Sequence, residues 1–102
     1  MGISLPIYLD YNATTPLTPQ VIAAMRPFLE EHFGNPSSNH HFGYIAKTAV
    51  EKARGQVAGL IDAYPAEIIF TSGGTESNNL VLQGAVRANR SKGNHIITSA
   101  IE

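Results

Sequence analysis

Hydrophobic residues recur at helical spacing in three parts of the chain. The first pattern begins after Thr18, a favourable N-cap residue, and has Pro19 at the first helical position. Pro27 lies inside this pattern, and because proline removes a backbone hydrogen bond it predicts a kink or a break near Arg26. The apolar stripe of this first helix consists of Val21, Ile22, Met25, Phe28 and Leu29.

The second pattern predicts a long helix over residues 39–61, with Ser38 or Asn39 as its N-cap. Many residues on its apolar face are small, which predicts close packing against another helix or a sheet. Gly55 and Gly59 weaken its carboxyl-terminal half. The apolar face comprises Phe42, Ile45, Ala46, Ala49, Val50, Ala53, Val57, Leu60 and Ile61.

The third pattern combines two short apolar segments with a helix between them. Residues 67–71 are apolar and β-branched, which predicts a buried strand, and a helix is predicted from Thr75 to about Asn89. Residues 95–99 have the composition of a further strand. Strand, helix and strand predict a βαβ unit with parallel strands and a right-handed crossover, and so an α/β fold.

The amino-terminal segment has a different character. Residues 3–9 are apolar and contain a proline, which predicts an edge strand or an arm lying on another surface. An irregular polar loop follows. We therefore divide the chain into an arm and loop over residues 1–17, a helical segment over residues 18–64 and an α/β segment over residues 65–102.

Composition and charge narrow the classes of function. The chain has 102 residues, of which 43% are hydrophobic and 15% charged, and this fits one small globular domain. A net charge of -1 with scattered Lys and Arg predicts no nucleic acid or anionic membrane partner. No apolar run approaches the roughly 20 residues that span a bilayer, and no targeting segment is apparent, so a cytoplasmic location is expected. The chain has no cysteine, and its four histidines lack metal-ligand spacing, so we predict no metal site.

Candidate chemistry lies in the turn between the first predicted strand and the third helix. Gly73 and Gly74 let the backbone approach a ligand, and the hydroxyls of Ser72, Thr75 and Ser77 can cap the N–H groups of the first helical turn. Those N–H groups and the helix dipole favour an anion such as a phosphate. On spacing alone, a capped glycine turn without a ligand is an equally good interpretation. The turn matches neither the nucleotide P-loop nor the dinucleotide fingerprint.

Three motifs in order give the chain a family resemblance. Residues 8–16, 34–38 and 71–79 together resemble the amino-terminal part of the cysteine desulfurase and selenocysteine lyase family. His40 and Gly43 extend the second motif in the family's pattern. These are class V aminotransferase-like enzymes of fold-type I that use pyridoxal 5'-phosphate (PLP). The resemblance implies the amino-terminal part of the large domain of that fold, with an arm, two helices and then the βαβ unit.

The resemblance also assigns site residues and partners. It places Gly74 and Thr75 in contact with the PLP phosphate, and Ala13 and Thr14 near the substrate at the mouth of the active site. It implies release of sulfur from L-cysteine with formation of L-alanine, a homodimer, a sulfur-acceptor protein and a role in iron–sulfur cluster assembly. Selenocysteine lyase acting on L-selenocysteine is the alternative, and residues 11–13 resemble those lyases.

The family's catalytic residues have no match in this chain. Lys47, Lys52 and Lys92 are read as surface charges, and no cysteine is present to act as nucleophile. In relatives a cofactor-stacking histidine follows the position of Glu102, and the Schiff-base lysine and the cysteine come later. We therefore expect an amino-terminal fragment without catalytic residues, inactive alone. A non-catalytic short product that binds a full-length relative is the alternative.

Overall fold

A computed structural model describes residues 6–101, which contain three α-helices and one short 3₁₀ turn. The chain divides into two compact units, one ending at Pro65 and the other beginning at Ala66. Part of the predicted amino-terminal arm, residues 1–5, lies outside the described residues, as does Glu102. The elements are α1 (Pro19–Glu30), α2 (His41–Leu60), the 3₁₀ turn (Pro65–Glu67) and α3 (Gly74–Ala88).

Helix α1 begins where the sequence predicts. The Thr18 hydroxyl accepts a hydrogen bond from the backbone N–H of Val21 at 3.4 Å, and Pro19 opens the helix. The helix then continues through Pro27, so of the predicted kink or break near Arg26 the break is wrong, and the kink stays a prediction. Pro27 lies in the last turn, where its missing N–H removes a single bond, and its carbonyl still accepts from Glu31 at 2.9 Å.

Helix α2 begins one or two residues later than predicted, because His40 and not Ser38 or Asn39 is the N-cap. The imidazole Nδ1 of His40 accepts a hydrogen bond from the backbone N–H of Gly43 at 3.3 Å. Ser38 cannot take this position because it closes a preceding turn, in which its N–H donates to the Asn35 carbonyl at 3.0 Å. The cap thus uses a residue type outside the usual Ser, Thr, Asp and Asn set.

Two glycines permit close backbone contacts at the start of α2. A Cβ on Gly34 would clash with the carbonyl of Phe42, and a Cβ on Gly43 would clash with the carbonyl of Ser38. The rings of Phe33 and Phe42 stack beside this contact at a centroid distance of 6.1 Å. The glycines of the second motif are therefore required by packing.

The carboxyl end of α2 is closed by its own backbone. The N–H of Ala63 donates to the carbonyl of Ala58, five residues earlier, at 2.9 Å, and this is the wider of the two hydrogen-bonded loops of a Schellman motif. Asp62 adopts the left-handed conformation that this motif needs, with φ 55°. Aspartate is one of the few non-glycine residues that adopt it routinely.

Helices α1 and α2 meet along a shared apolar groove. The alanines of α2 allow the close approach predicted from its small residues, yet Ala46 and Ala58 are the only buried apolar side chains in residues 6–101. The chain exposes 9627 Å², against about 5,600 Å² for a typical folded monomer of this mass. Much apolar surface therefore remains in contact with solvent. The groove is lined by Val21, Ala24, Met25, Phe28 and Leu29 of α1, and by Ala46, Ala49, Val50 and Ala53 of α2.

The second unit contains α3 and irregular segments on either side of it. Helix α3 ends at Ala88, within a residue of the prediction. Residues 67–71 and 95–99 form no strand in the described chain, and Glu67 belongs to the 3₁₀ turn, so the predicted βαβ unit is not confirmed. A strand is defined by hydrogen bonds to a neighbouring strand, and residues 6–101 supply none.

Candidate cofactor-binding turn

The turn before α3 presents an open helix N-terminus. Gly73 is the N-cap, with an extended backbone of φ 159° and ψ -176°, and no side chain in the described part of the chain caps the helix there. Its carbonyl accepts the first helical bond, from the N–H of Ser77 at 3.1 Å. A Cβ built on Gly73 or Gly74 meets no atom within 4 Å. The space in front of the helix is therefore accessible to a ligand.

One side chain of the first helical turn reaches back across this turn. The Glu76 carboxylate oxygen Oε2 accepts from the Ser72 hydroxyl at 2.6 Å and from the Ser72 N–H at 2.7 Å. The bond from the hydroxyl, followed by that from the amide, lowers the pKa of Glu76 below its ordinary value. Glu76 therefore carries a full negative charge at neutral pH.

A second pair of side chains spans the same turn. The hydroxyl oxygens of Thr71 and Ser77 lie 2.7 Å apart, and each also lies within 3.3 Å of the Gly73 carbonyl oxygen. Two hydroxyl hydrogens serve these three contacts, so one hydroxyl donates to the other, which donates to Gly73. The pair ties the end of the preceding segment to the first turn of α3.

Two of the three hydroxyls predicted to cap the helix make other hydrogen bonds. Ser72 donates to Glu76, and Ser77 contacts Thr71 and Gly73, so neither caps a helical N–H. The Thr75 hydroxyl makes no hydrogen bond within residues 6–101, although the Thr75 carbonyl accepts from the Asn79 side chain at 2.9 Å. The structure thus leaves Gly74 and Thr75 at the open end of the helix. Sequence reasoning overlooked Glu76, although a serine four residues before a first-turn acid is close to a capping-box spacing.

The predicted substrate residues Ala13 and Thr14 lie in a turn of the first unit. Their N–H groups donate to the Asp10 carbonyl at 3.1 and 3.4 Å. The Tyr8 hydroxyl donates to the Asp10 carbonyl at 2.8 Å and lies 3.3 Å from the Thr14 carbonyl. Both residues are exposed.

Two further features concern metals and membranes. Residues 6–101 contain no group of three or more His, Asp or Glu side chains arranged to hold a metal ion. Among the same residues, no helix has both the length and the apolar character needed to cross a membrane.

Comparison with known proteins assigns the chain to a family. The family model for aminotransferase class-V matches residues 7–102, and the chain belongs to this family. A solved structure described as a NifS-like protein superimposes with a TM-score of 0.84 and 40% identity, covering 96% of this chain and 27% of that one. The fold is therefore that of the corresponding part of a NifS-like protein.

The curated relatives are similar over the whole chain. A cysteine desulfurase IscS from Dictyoglomus turgidum is 59% identical over 96 residues, covering 94% of this chain and 24% of the relative. The cysteine desulfurase IscS of Dechloromonas aromatica is 58% identical over 104 residues, covering 100% of this chain and 26% of the relative. These similarities confirm the resemblance read from the three motifs. The chain spans about a quarter of the length of these relatives, as expected if it corresponds to one part of such an enzyme.

Proposed function

We propose that this chain forms the amino-terminal part of a PLP-dependent cysteine desulfurase, which releases sulfur from L-cysteine and forms L-alanine. The observation that carries the proposal is 59% identity to a cysteine desulfurase over 94% of the chain. The motifs responsible for the resemblance include the open turn at the start of α3. The residues required for turnover lie in the part of the relatives that this chain does not span.

The α3 turn has the properties required to hold the phosphate of PLP. Gly74 has no side chain in front of the helix, and α3 is 15 residues long, so its first N–H groups and its dipole favour an anion. The Thr75 hydroxyl is exposed and can add a donor. We assign phosphate contact to Gly74 and Thr75. PLP, when bound, supplies the electron sink for chemistry at the amino-acid substrate.

Further assignments follow from the same family. Ala13 and Thr14 are assigned to the vicinity of the substrate, and the full-length enzyme is proposed to be a homodimer in the cytoplasm that passes sulfur to an acceptor protein. The segments 1–17, 18–64 and 65–102 are proposed as arm and loop, helical segment and start of the large domain with its βαβ unit.

Two alternative functions are a selenocysteine lyase and a non-catalytic product. The relatives are named as cysteine desulfurases, which favours L-cysteine over L-selenocysteine as substrate. A non-catalytic product that binds a full-length relative would use the exposed apolar face of α1 and α2. The two alternatives predict different activities for an enzyme assembled from this chain and the remainder of a relative.

The experiment replaces the aligned segment of the Dechloromonas aromatica enzyme with this chain. We expect the chimera to contain PLP, seen by its visible absorption, and to form alanine and sulfide from L-cysteine when a thiol reductant is added to reduce the released sulfur. Thr75→Val should lower PLP affinity roughly tenfold by removing a hydrogen bond to a charged group. Thr48→Val, at an exposed position on α2, is the matched control and should leave affinity unchanged.

The possible results separate the hypotheses. Activity with L-selenocysteine but not L-cysteine would identify a selenocysteine lyase. A folded chimera without PLP, or PLP affinity that is equal in the Thr75→Val and Thr48→Val variants, would refute the phosphate assignment. A folded, PLP-loaded chimera with neither activity would favour the non-catalytic alternative.

A further inference from the structure

We propose that Glu76 is a positioning residue for the phosphate site, holding the turn before α3 so that Gly74 and Thr75 remain open to the ligand. This inference rests on the proposed function, because it takes the assignment of the phosphate to those two residues as given. Glu76 itself is not a ligand in this proposal. It acts through Ser72, whose two donors it accepts.

The contacts across the turn are nested about Gly74. Ser72 pairs with Glu76, and outside this pair Thr71 pairs with Ser77, so that each pair lies symmetrically on either side of Gly74 in sequence. We call these two pairs the clasp. The inner pair is held by two short hydrogen bonds to one charged oxygen, which is the stronger type of bond. The clasp therefore fixes both sides of the turn without using any atom of Gly74 or Thr75.

The inner pair also determines which donors are available. Ser72 would otherwise present its N–H and hydroxyl at the helix N-terminus, and Glu76 occupies both. The N–H groups of Gly73, Gly74, Thr75 and Glu76 remain at this end of the helix, and the two that we assign to the phosphate adjoin each other. Glu76 thereby keeps the two donors of Ser72 from competing with them for the anion.

A purely electrostatic role for Glu76 would have the opposite effect on affinity. A carboxylate in the first turn repels a phosphate at the same helix end, so removing it would strengthen binding if repulsion dominated. If positioning dominates, removal frees Ser72 and loosens Gly73, and binding weakens. The sign of the change in affinity therefore distinguishes the two roles.

The test compares Glu76→Ala with the unsubstituted full chain by NMR. Without ligand, we expect faster amide hydrogen exchange in the variant at Ser72, whose N–H donates to Glu76, and at Ser77, whose N–H donates to Gly73. The binding probe is pyridoxine 5'-phosphate, which lacks the aldehyde that would react with lysines, and pyridoxine serves as the phosphate-free control. We expect the probe to shift the Gly74 and Thr75 amides, with an affinity lowered roughly three- to tenfold in Glu76→Ala.

Two further variants keep the result interpretable. Glu76→Gln retains an oxygen acceptor but not the charge, and it should restore part of the lost affinity. Glu31→Ala makes the same change in net charge at an exposed position outside the turn and should have no effect. Protection of α2 amides in every variant verifies that the chain is folded.

The outcomes distinguish the inference from the function on which it rests. Equal or tighter probe binding in Glu76→Ala, with the Gly74 and Thr75 shifts retained, would overturn the positioning role and leave the phosphate site intact. Unchanged exchange at the Ser77 amide would overturn it without reference to any ligand. If the probe shifts neither amide in the unsubstituted chain, the phosphate assignment fails and the positioning role fails with it.

Discussion

Substitution of Gly43 by alanine should destabilise the chain, although alanine is the better helix former. Gly43 is buried in the first turn of α2. A Cβ at this position would clash with the carbonyl oxygen of Ser38 and would lie 2.7 Å from the carbonyl oxygen of Asn35. Both contacts are backbone atoms of the turn that leads into the helix, so no flexible side chain can move aside.

The magnitude follows from three opposing effects. Replacing glycine with alanine inside a helix contributes about 1 kcal/mol in favour of the variant. Forcing a buried methyl group into occupied space costs about 1–3 kcal/mol. Moving the turn also weakens the cap from His40 to the Gly43 N–H, which is worth about 1 kcal/mol. We expect Gly43→Ala to lower the free energy of unfolding by about 2 kcal/mol.

The same helix offers a matched control. A Cβ on Gly55 meets no atom within 4 Å, so Gly55→Ala makes the same chemical change without the clash and should raise the free energy of unfolding by about 1 kcal/mol. Urea unfolding followed by far-UV circular dichroism measures both variants. If Gly43→Ala proved as stable as Gly55→Ala, the packing explanation of the second motif would be refuted.

Three further outcomes are expected. Because hydrogen bonds from Ser72 lower the pKa of Glu76, the Ser72–Glu76 pair of the clasp should be intact above the ordinary value of 4.5 and weaken as pH falls through the lower folded-state pKa. NMR titration of the Glu76 carboxyl and the Ser72 amide should show this, and Glu76→Gln should abolish the pH dependence. His40→Ala should lower the free energy of unfolding, measured in urea, by about 1 kcal/mol, whereas His40→Asn retains a capping side chain and should keep most of that stability. An equal loss of stability in the two variants would exclude a capping role for His40. The isolated chain should bind a hydrophobic dye, because its accessible surface greatly exceeds that of a typical monomer of its mass. Addition of the remaining part of a relative should displace the dye. An isolated chain that binds no dye would contradict the exposure of these apolar side chains.

The helices could be predicted from the sequence because the signals that define them are local. Thr18, Pro19 and the apolar stripe that follows placed α1 correctly, and α3 was placed within a residue at each end. The N-cap of α2 was missed because its choice depends on the preceding turn, which uses Ser38 and leaves His40 to accept from Gly43. The helix continues past Pro27 because proline removes only its own backbone donor, while its carbonyl still accepts from Glu31.

The strands and the details of the site depend on information that a local pattern lacks. Residues 67–71 have the composition of a strand, but pairing requires a neighbour that residues 6–101 do not provide. The glycine turn itself could be recognised, whereas the clasp could not. Ser72 pairs with Glu76 and Ser77 with Thr71 across the extended backbone of Gly73, and a local pattern does not predict these pairings.

Contacts within the chain account for the residues of the second motif more completely than for those of the third. In the second motif, Gly34 and Gly43 are required by backbone contacts, Asn35 closes a turn and His40 caps α2, so folding accounts for these residues without a ligand. In the third motif, folding accounts for the clasp but not for Gly74 or the Thr75 hydroxyl. Gly74 has open space in front of it, and the Thr75 hydroxyl has no hydrogen-bond partner in the described chain. These are the two positions to which we assign the phosphate. Substitutions in the second motif should therefore change stability first, and substitutions at Gly74 and Thr75 should change phosphate binding with little change in stability.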